Sequence, residues 1–345
     1  MTRVLVTGGS GFLGSAIIEE LLDPASPLQT DLIRIFDTKE YRGLKNIRVD
    51  CIRGDVRDYP SLLEACKGMD VVIHSAAVVD WSTFSADQVM AVNYGGTQNA
   101  IKACKEAGVP CLVYTSSLDA VFGGKPLVDI DESVAYPEKH PNAYCESKFL
   151  SEKIVLASNS KELKTCVLRP SDIYGEGDPF HIGSLIAMAK GGFYVRLGDG
   201  KSKSQHVYVR NMAHAHLLAA NALLTGNHSV EGQAYLITDG PGSNFFKFFD
   251  RFVEGAGYRI WPKNLWIPRS LAMIIGAISE AIAFLWRPIK PYTPKMSRFA
   301  VIYTCSDFTF SSKKALHDFG YFPKYSEEDA FEKTISFYKN VNIEH

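Results

Sequence analysis

The 345-residue chain has no C-x-x-C pair, no internal repeat, no low-complexity tract and no excess of charge of either sign. Its seven cysteines are odd in number and scattered. Neither a disulfide framework nor a zinc site follows from them, no metal is expected, and reduced thiols in a cytosolic compartment are. A net charge of −1 lacks the basic footprint of a nucleic-acid partner, so none is expected. A helix that spans a bilayer needs about twenty apolar residues. The apolar segment Leu271 to Trp286 has sixteen, with Glu280 as its one charge. The first strand pattern starts two residues after Met1, which in this reading leaves no room for a signal or transit peptide. What remains is an ordinary globular composition, 46% hydrophobic, with a length suited to two domains or to one domain with an added lobe.

The chain is organised around MTRVLVTGGSGFLG. Arg3 to Thr7 form an apolar strand pattern, a glycine turn follows, and Phe12, Leu13, Ala16, Ile17 and Leu21 recur at helical spacing. A helix that starts directly after such a turn has unpaired N–H groups in its first turn, at the positive end of its dipole. That is a seat for a pyrophosphate, with Phe12, Leu13 and Gly14 in the turn that would touch it. Gly9, Gly11 and Gly14 fit G-x-G-x-x-G, and Gly8, Gly11 and Gly14 fit G-x-x-G-x-x-G. The motif calls for an acidic residue about twenty positions later to bind ribose hydroxyls. Asp37, closing the strand pattern Leu32 to Phe36, fills that place and favours NAD over NADP, because a carboxylate repels a ribose phosphate.

Strand and helix patterns then alternate. Ile47 to Ile52 is a third strand, Pro60 to Cys66 a helix, and Val71-Val72-Ile73-His74 a fourth strand ending in Ser75-Ala76-Ala77. Small side chains at the carboxyl end of a parallel strand let a cofactor pass, although Ala76 and Ala77 also suit plain packing. His74 reads as a core histidine. A long helix covers Ala86 to Ala107, and the fifth strand, Cys111 to Thr115, stops at Ser116-Ser117. Asn142 to Leu156 is helical and carries Tyr144 and Lys148, which at a spacing of four share one face. A phenol titrates near about 10, and an adjacent ammonium favours its phenolate. With a serine hydroxyl nearby, the pair becomes a proton-transfer unit for an alcohol or a ketone.

Taken in order, Gly8-x-x-Gly11-x-x-Gly14, Asp37, Gly54-Asp55-Val56, Ser116-Ser117, Tyr144-x-x-x-Lys148 and Arg169-Pro170-Ser171-x-Ile173-Tyr174-Gly175 resemble the extended short-chain dehydrogenase/reductases. Val113 to Ser117, Arg169 to Asp178 and His206 to Asn211 are similar to the 3β-hydroxysteroid dehydrogenase branch, which includes sterol C-4 decarboxylating dehydrogenases. The resemblance implies Tyr144 as general acid/base, Lys148 as its electrostatic partner and a contact of the nicotinamide ribose, and Ser117 as the substrate-orienting hydroxyl, with Ser116 second. It places Asp55 and Val56 beside the adenine, Ala76 and Ala77 beside the diphosphate and ribose, Pro170 beside the nicotinamide, and Asn93 as a support. A homodimer through the helices beside the Tyr-Lys pair is also implied.

After Pro170 the alternation loosens. Ile182 to Lys190 reads as a helix, Phe193 to Leu197 as a strand, Met212 to Leu224 as a helix and Ala234 to Thr238 as a strand returning to the sheet. The phenylalanines from Phe245 to Phe252 read as core. Leu271 to Trp286, bounded by Pro268-Arg269 and Arg287-Pro288, reads either as a buried or substrate-covering helix or as one lying in a membrane interface. A last helix runs from Glu327 to Tyr338. The expected fold is α/β, a doubly wound parallel sheet, with residues 1–170 and about 205–240 forming the NAD-binding domain. Residues of about 171–204 and 241–345 form a smaller, mostly helical substrate lobe. The expected activity is NAD-linked oxidation of the 3β-hydroxyl of an apolar, sterol-like molecule by a cytoplasmic enzyme, with peripheral membrane contact through 271–286 if the second reading of that helix holds. The alternatives are a reductase of another 3-oxo lipid, a nucleotide-sugar epimerase or dehydratase, and a non-catalytic NAD sensor or scaffold.

Overall fold

Strands that are apolar throughout need cover on both faces, and helices threaded between parallel strands supply it. The computed structural model describes residues 2–79, 85–192, 194–286 and 296–340. The first half runs β1 (Thr2–Thr7), α1 (Phe12–Leu22), β2 (Thr30–Asp37), β3 (Val49–Arg53), α2 (Tyr59–Cys66), β4 (Val71–His74) and α3 (Ala86–Met90). A π-helical turn (Ala91–Gly95) leads into α4 (Gly96–Ala107), followed by β5 (Cys111–Thr115), a 3-10 turn (Leu118–Ala120), β6 (Leu127–Ile130), α5 (Ala143–Ala157) and β7 (Lys164–Pro170). The second half runs β8 (Asp172–Tyr174), α6 (Ile182–Lys190), β9 (Arg196–Leu197), β10 (His206–Tyr208), α7 (Val209–Leu224), β11 (Gln233–Ile237) and α8 (Phe245–Gly255). It closes with β12 (Trp266–Ile267), α9 (Arg269–Trp286), α10 (Arg298–Thr304), β13 (Phe308–Phe310), α11 (Lys313–Phe319) and α12 (Glu327–Asn340).

Seven strands form one sheet in the order β11-β7-β5-β4-β1-β2-β3, every pair parallel. The expected doubly wound sheet is present. Its two faces sort by the period of two in each strand. Val4 and Val6 join Ile33, Ile35 and Ile73 under α1 and α7, whereas Leu5 joins Phe36, Val72 and Leu112 under α2, α4 and α5. The strand order reverses beside β1, and the crevice at that switch, outside the carboxyl ends of the strands, is where ligands lie in such sheets.

Several boundaries move. The third strand starts at Val49 rather than Ile47, because a backbone turn from Val49 N to Asn46 O (3.0 Å) precedes it. The strand expected over 193–197 shrinks to Arg196–Leu197, and Phe193 lies outside the described residues. β8 pairs with β10 and β6 with β13, away from the main sheet. Phe245, Phe246, Phe249 and Phe252 of α8 are buried, as expected of core. His74 is also fully buried, held between Thr7 Oγ1 (2.7 Å) and Thr97 Oγ1 (3.2 Å).

The buried or substrate-covering alternative for 271–286 is overturned. In α9 only Ala272 and Gly276 are buried, both on the side that meets α10. Leu271, Ile274, Ile278, Ile282 and Leu285, spaced three and four apart, face outward, and Ile278 is 55% exposed. None of them reaches the crevice described next. Arg287 and Pro288 lie outside the described residues.

Candidate active site

A cleft of about 660 Å3 crosses the carboxyl ends of β1, β2, β4, β5 and β7. Gly8, Gly11, Phe12, Leu13, Gly14, Asp37, Asp55, Val56, Ala76, Ala77, Ser117, Tyr144, Lys148 and Pro170 all line it. Residues spread over more than 160 positions of sequence thus share one wall, most of them because they sit at a strand end or on the first turn after one, and Tyr144 and Lys148 because α5 packs beside the end of β5.

The turn after β1 is built by exclusion. Gly8 adopts φ +73°, and a β-carbon there would lie 2.8 Å from the backbone of Ala76. One at Gly14 would lie 2.0 Å from Gly8 O. The glycines therefore allow helix, turn and the β4 loop to pack with no side chain between them, leaving a cradle for a phosphate. At the neighbouring strand end the Asp37 carboxylate accepts from Ser10 N (3.0 Å) and Lys39 N (2.8 Å). A carboxylate has about four lone-pair sites, so Asp37 is fixed in place with acceptors to spare for ribose hydroxyls. Asp55 faces the same end, paired to Arg57 at 2.6 Å. The group that the sequence implies fits these residues.

The other end of the cleft carries the titratable groups. Tyr144 and Lys148 stand one turn apart on α5 and both are buried. Lys148 Nζ donates to Thr115 O at 2.8 Å, at the end of β5, and lies 5.9 Å from the Tyr144 ring. Burial carries the Lys148 ammonium down to about 8, while Asp119 and Glu152 hold it up. It is still mostly charged at neutral pH. The expected lowering of the Tyr144 phenol by this ammonium is not what the site produces. Burial first, and then the Asp119 carboxylate, push Tyr144 well above the ordinary range, and only a contact with the Ser117 hydroxyl works the other way.

The two serines point to different partners. Ser116 Oγ donates to Glu152 Oε2 (2.6 Å), and that carboxylate is held by Arg169 at 2.5 Å in a buried pair. Ser117 Oγ faces Tyr144 and donates to Asp119 Oδ2 (2.7 Å), while Asp119 N donates back to it (3.1 Å). Asn93, on the π-helical turn, lies behind the cleft. Its side chain accepts from Val78 N (2.8 Å) and donates to Val78 O and Ser147 Oγ (both 3.0 Å), tying the β4 loop to α5.

The sequence reading missed the acidic groups at this end. Asp119 is buried, its carboxyl raised to about 6 chiefly by burial. Asp172 on β8 accepts from the Tyr303 hydroxyl (2.6 Å), and burial raises its carboxyl too. For His181 burial alone would lower the ring, but Asp178 and Asp172 outweigh it and carry it up to about 9. Asp119 was findable, being two residues past Ser117, and Asp172 lies inside the Arg169-Pro170-Ser171 motif. His181 and Tyr303 reach the cleft only through the packing of α6 and α10, which leaves no local signal.

A glycine cradle, a carboxylate with free acceptor sites at the end of β2 and a serine-tyrosine-lysine set thus share one cleft. A family model described as the 3-beta hydroxysteroid dehydrogenase/isomerase family matches residues 5–267. The chain belongs to that family. The match contains the whole run from the glycine turn to Pro170 and ends just before α9. Over 339 residues this member is 33% identical to the decarboxylating sterol-4-alpha-carboxylate 3-dehydrogenase of Schizosaccharomyces pombe, covering 97% of each chain. It is also 33% identical to 3beta-hydroxysteroid-dehydrogenase/decarboxylase isoform 2 of Arabidopsis thaliana over 98% of its own length, and spans 62% of that longer protein. Among solved structures, the dTDP-glucose 4,6-dehydratase DesIV of Streptomyces venezuelae superposes with a TM-score of 0.74 at 22% identity, over 98% of this chain and 97% of that one. At that identity the likeness establishes the shared fold of this 3-beta hydroxysteroid dehydrogenase/isomerase family member, and no more.

Proposed function

We propose that the protein is an NAD-dependent dehydrogenase acting on the 3β-hydroxyl of a steroid or sterol. The observation that carries this reading is the single cleft that joins the glycine cradle and Asp37 at one end to Ser117, Tyr144 and Lys148 at the other. NAD, when bound, supplies the hydride acceptor. The chain supplies position and proton handling. Tyr144 Oη takes the hydroxyl proton of the substrate as its phenolate, its own proton having first left to solvent against the burial and the Asp119 charge that hold it. The Lys148 ammonium supplies the positive charge that favours this loss, and Ser117 Oγ orients the reacting oxygen. Gly8, Gly11, Phe12, Leu13 and Gly14 hold the diphosphate, Asp37 the adenine ribose, Asp55 and Val56 the adenine, Ala76 and Ala77 the diphosphate and ribose, and Pro170 the nicotinamide. Beyond Tyr144 the cleft is walled by Val79, Ile173, Pro179 and Phe180, which suits an apolar ring system.

Two features extend the proposal. The outward apolar stripe of α9 supports docking on a membrane surface, with Arg269 at its near end. The homodimer through the helices beside the Tyr-Lys pair is retained as part of the proposal. We place the substrate lobe at about 171–204 and 241–345, the remainder being the NAD-binding domain.

The test is NADH formation when purified protein and NAD meet a panel of 3β-hydroxysteroids, 4-carboxysterols, simple secondary alcohols and nucleotide sugars. NADH that appears with sterol-class alcohols and is abolished in Tyr144→Phe supports the reading. Turnover of a nucleotide sugar instead, or full turnover in Tyr144→Phe, overturns it.

A further inference from the structure

Asp119 has no part in the reaction as described so far, yet its carboxylate touches the hydroxyl that orients the substrate. It is buried, and groups from its own turn, α5, β8 and α10 bear on it. Ser117 comes from its own turn, Cys145 and Lys148 with Tyr144 from α5, Asp172 from β8 and Tyr303 from α10. Ser117 Oγ donates to Asp119 Oδ2 at 2.7 Å, and Cys145 Sγ approaches Oδ1 at 3.7 Å.

We propose that Asp119 is a positioning residue that sets the hydrogen-bonding sense of Ser117, and through it whether the site holds an alcohol or a ketone. The inference rests on the reading above that Ser117 faces the reacting oxygen. A serine hydroxyl has one proton to give. With Asp119 ionised that proton goes to the carboxylate, and one Oγ lone pair already takes Asp119 N–H. Ser117 then meets the cleft with a lone pair alone. In that state Ser117 has no proton for a carbonyl and can only accept, as from the O–H of a bound alcohol before that O–H turns to Tyr144. When Asp119 takes up a proton from solvent, its carboxyl O–H donates to Ser117 Oγ. The serine proton is then released to point into the cleft, where a ketone oxygen accepts it. No bond other than these hydrogen bonds changes, and one proton is taken up.

The switch lies in an accessible range. Burial raises the Asp119 carboxyl to about 6, with Asp172 adding to the rise while Ser117, Cys145 and Lys148 oppose it. An Asp119 that is mostly ionised at neutral pH favours binding of the alcohol and early release of the ketone, as an oxidative enzyme requires. Mild acid reverses that preference.

The test uses the protein with NAD bound, so that no hydride can pass to the ketone, and 5α-cholestan-3-one as probe, with affinity read by calorimetric titration on both sides of pH 6. In the wild type, ketone affinity is expected to fall roughly five- to tenfold as pH rises through the Asp119 titration, about the worth of one hydrogen bond. Asp119→Asn, whose amide donates to Ser117 Oγ, is expected to hold the low-pH affinity throughout. Ser117→Ala, with Asp119 intact, is expected to abolish the pH dependence. An Asp119→Asn curve that follows the wild type overturns the proposal, as does a Ser117→Ala curve that keeps the pH dependence. If no steroid ketone binds at all, the reading of the reaction fails separately. The Asp119–Ser117 link is then read from the infrared carbonyl stretch of protonated Asp119, taken as wild type minus Asp119→Asn. Ser117→Ala must move its titration to higher pH, and an unmoved midpoint overturns the link.

Discussion

At Gly14 a β-carbon would lie 2.0 Å from Gly8 O and 2.6 Å from Gly9 Cα, and no rotamer relieves a clash with backbone. Gly14→Ala is therefore expected to displace the turn and abolish NADH binding, seen as loss of the fluorescence change on mixing, while far-ultraviolet circular dichroism stays near wild type. Lys148 shows the opposite economy, a residue kept against stability. Burial lowers its pKa from 10.5 to about 8, so between those values the unfolded chain holds a proton that the folded chain releases. Folding is opposed most at neutral pH and progressively less as pH rises toward 10.5. Lys148→Met is expected to raise the Tm at neutral pH, to lose that advantage as pH climbs, and to lack turnover. Equal or lower stability at neutral pH would count against a charged Lys148 in the folded site. The sequence made Tyr144 and Lys148 readable because four-residue spacing on a helix is a local matter. The upward push on Tyr144 was not readable, because it comes from burial and from a carboxylate on another element.

Strands and helices that form the sheet were legible to within a few residues, since each carries its own period. β6, β8, β10 and β13 were not. Each has three or four residues and owes its pairing to a partner far along the chain, as Phe308 does to Leu127. The π-helical turn was equally hidden inside a continuous helical pattern, although it is the turn that carries Asn93 to Val78 and Ser147. α9 is the element whose composition left two readings and whose packing removed one. At 18 residues it is long and apolar enough to approach a bilayer span by length and composition, and its stripe of Ile274, Ile278 and Ile282 has no cover among the described residues. Surface changes away from special features shift stability by about 0.5 kcal/mol or less. Ile274→Asp with Ile278→Asp is thus expected to leave the urea midpoint nearly unchanged while strongly reducing co-sedimentation with phospholipid vesicles. Wild-type protein that stays in the supernatant would remove the membrane from the proposal.

Across the whole molecule, two hydrophobic layers grip one sheet, and the cleft runs along the edge where both layers end. A ligand lying in it bridges the turn after β1, the ends of β2 and β4, and α5, so its binding energy adds directly to the stability of the folded chain. A ligand at a hundred times its Kd stabilises by about 2.7 kcal/mol when it binds only the folded state. Saturating NAD is accordingly expected to raise the Tm of the wild type by several degrees. The rise should persist in Tyr144→Phe, where only a hydroxyl at the far end of the cleft is removed, and vanish in Gly14→Ala, where the phosphate seat itself is displaced. This pair of variants separates the two halves of the cleft that the sequence revealed through unrelated signals, a glycine turn and a tyrosine-lysine spacing. If Tyr144→Phe abolished the thermal shift as completely as Gly14→Ala, the phenol would be a main anchor of the nucleotide. Its assignment as a proton-transfer group that contributes little to holding NAD would then have to be abandoned.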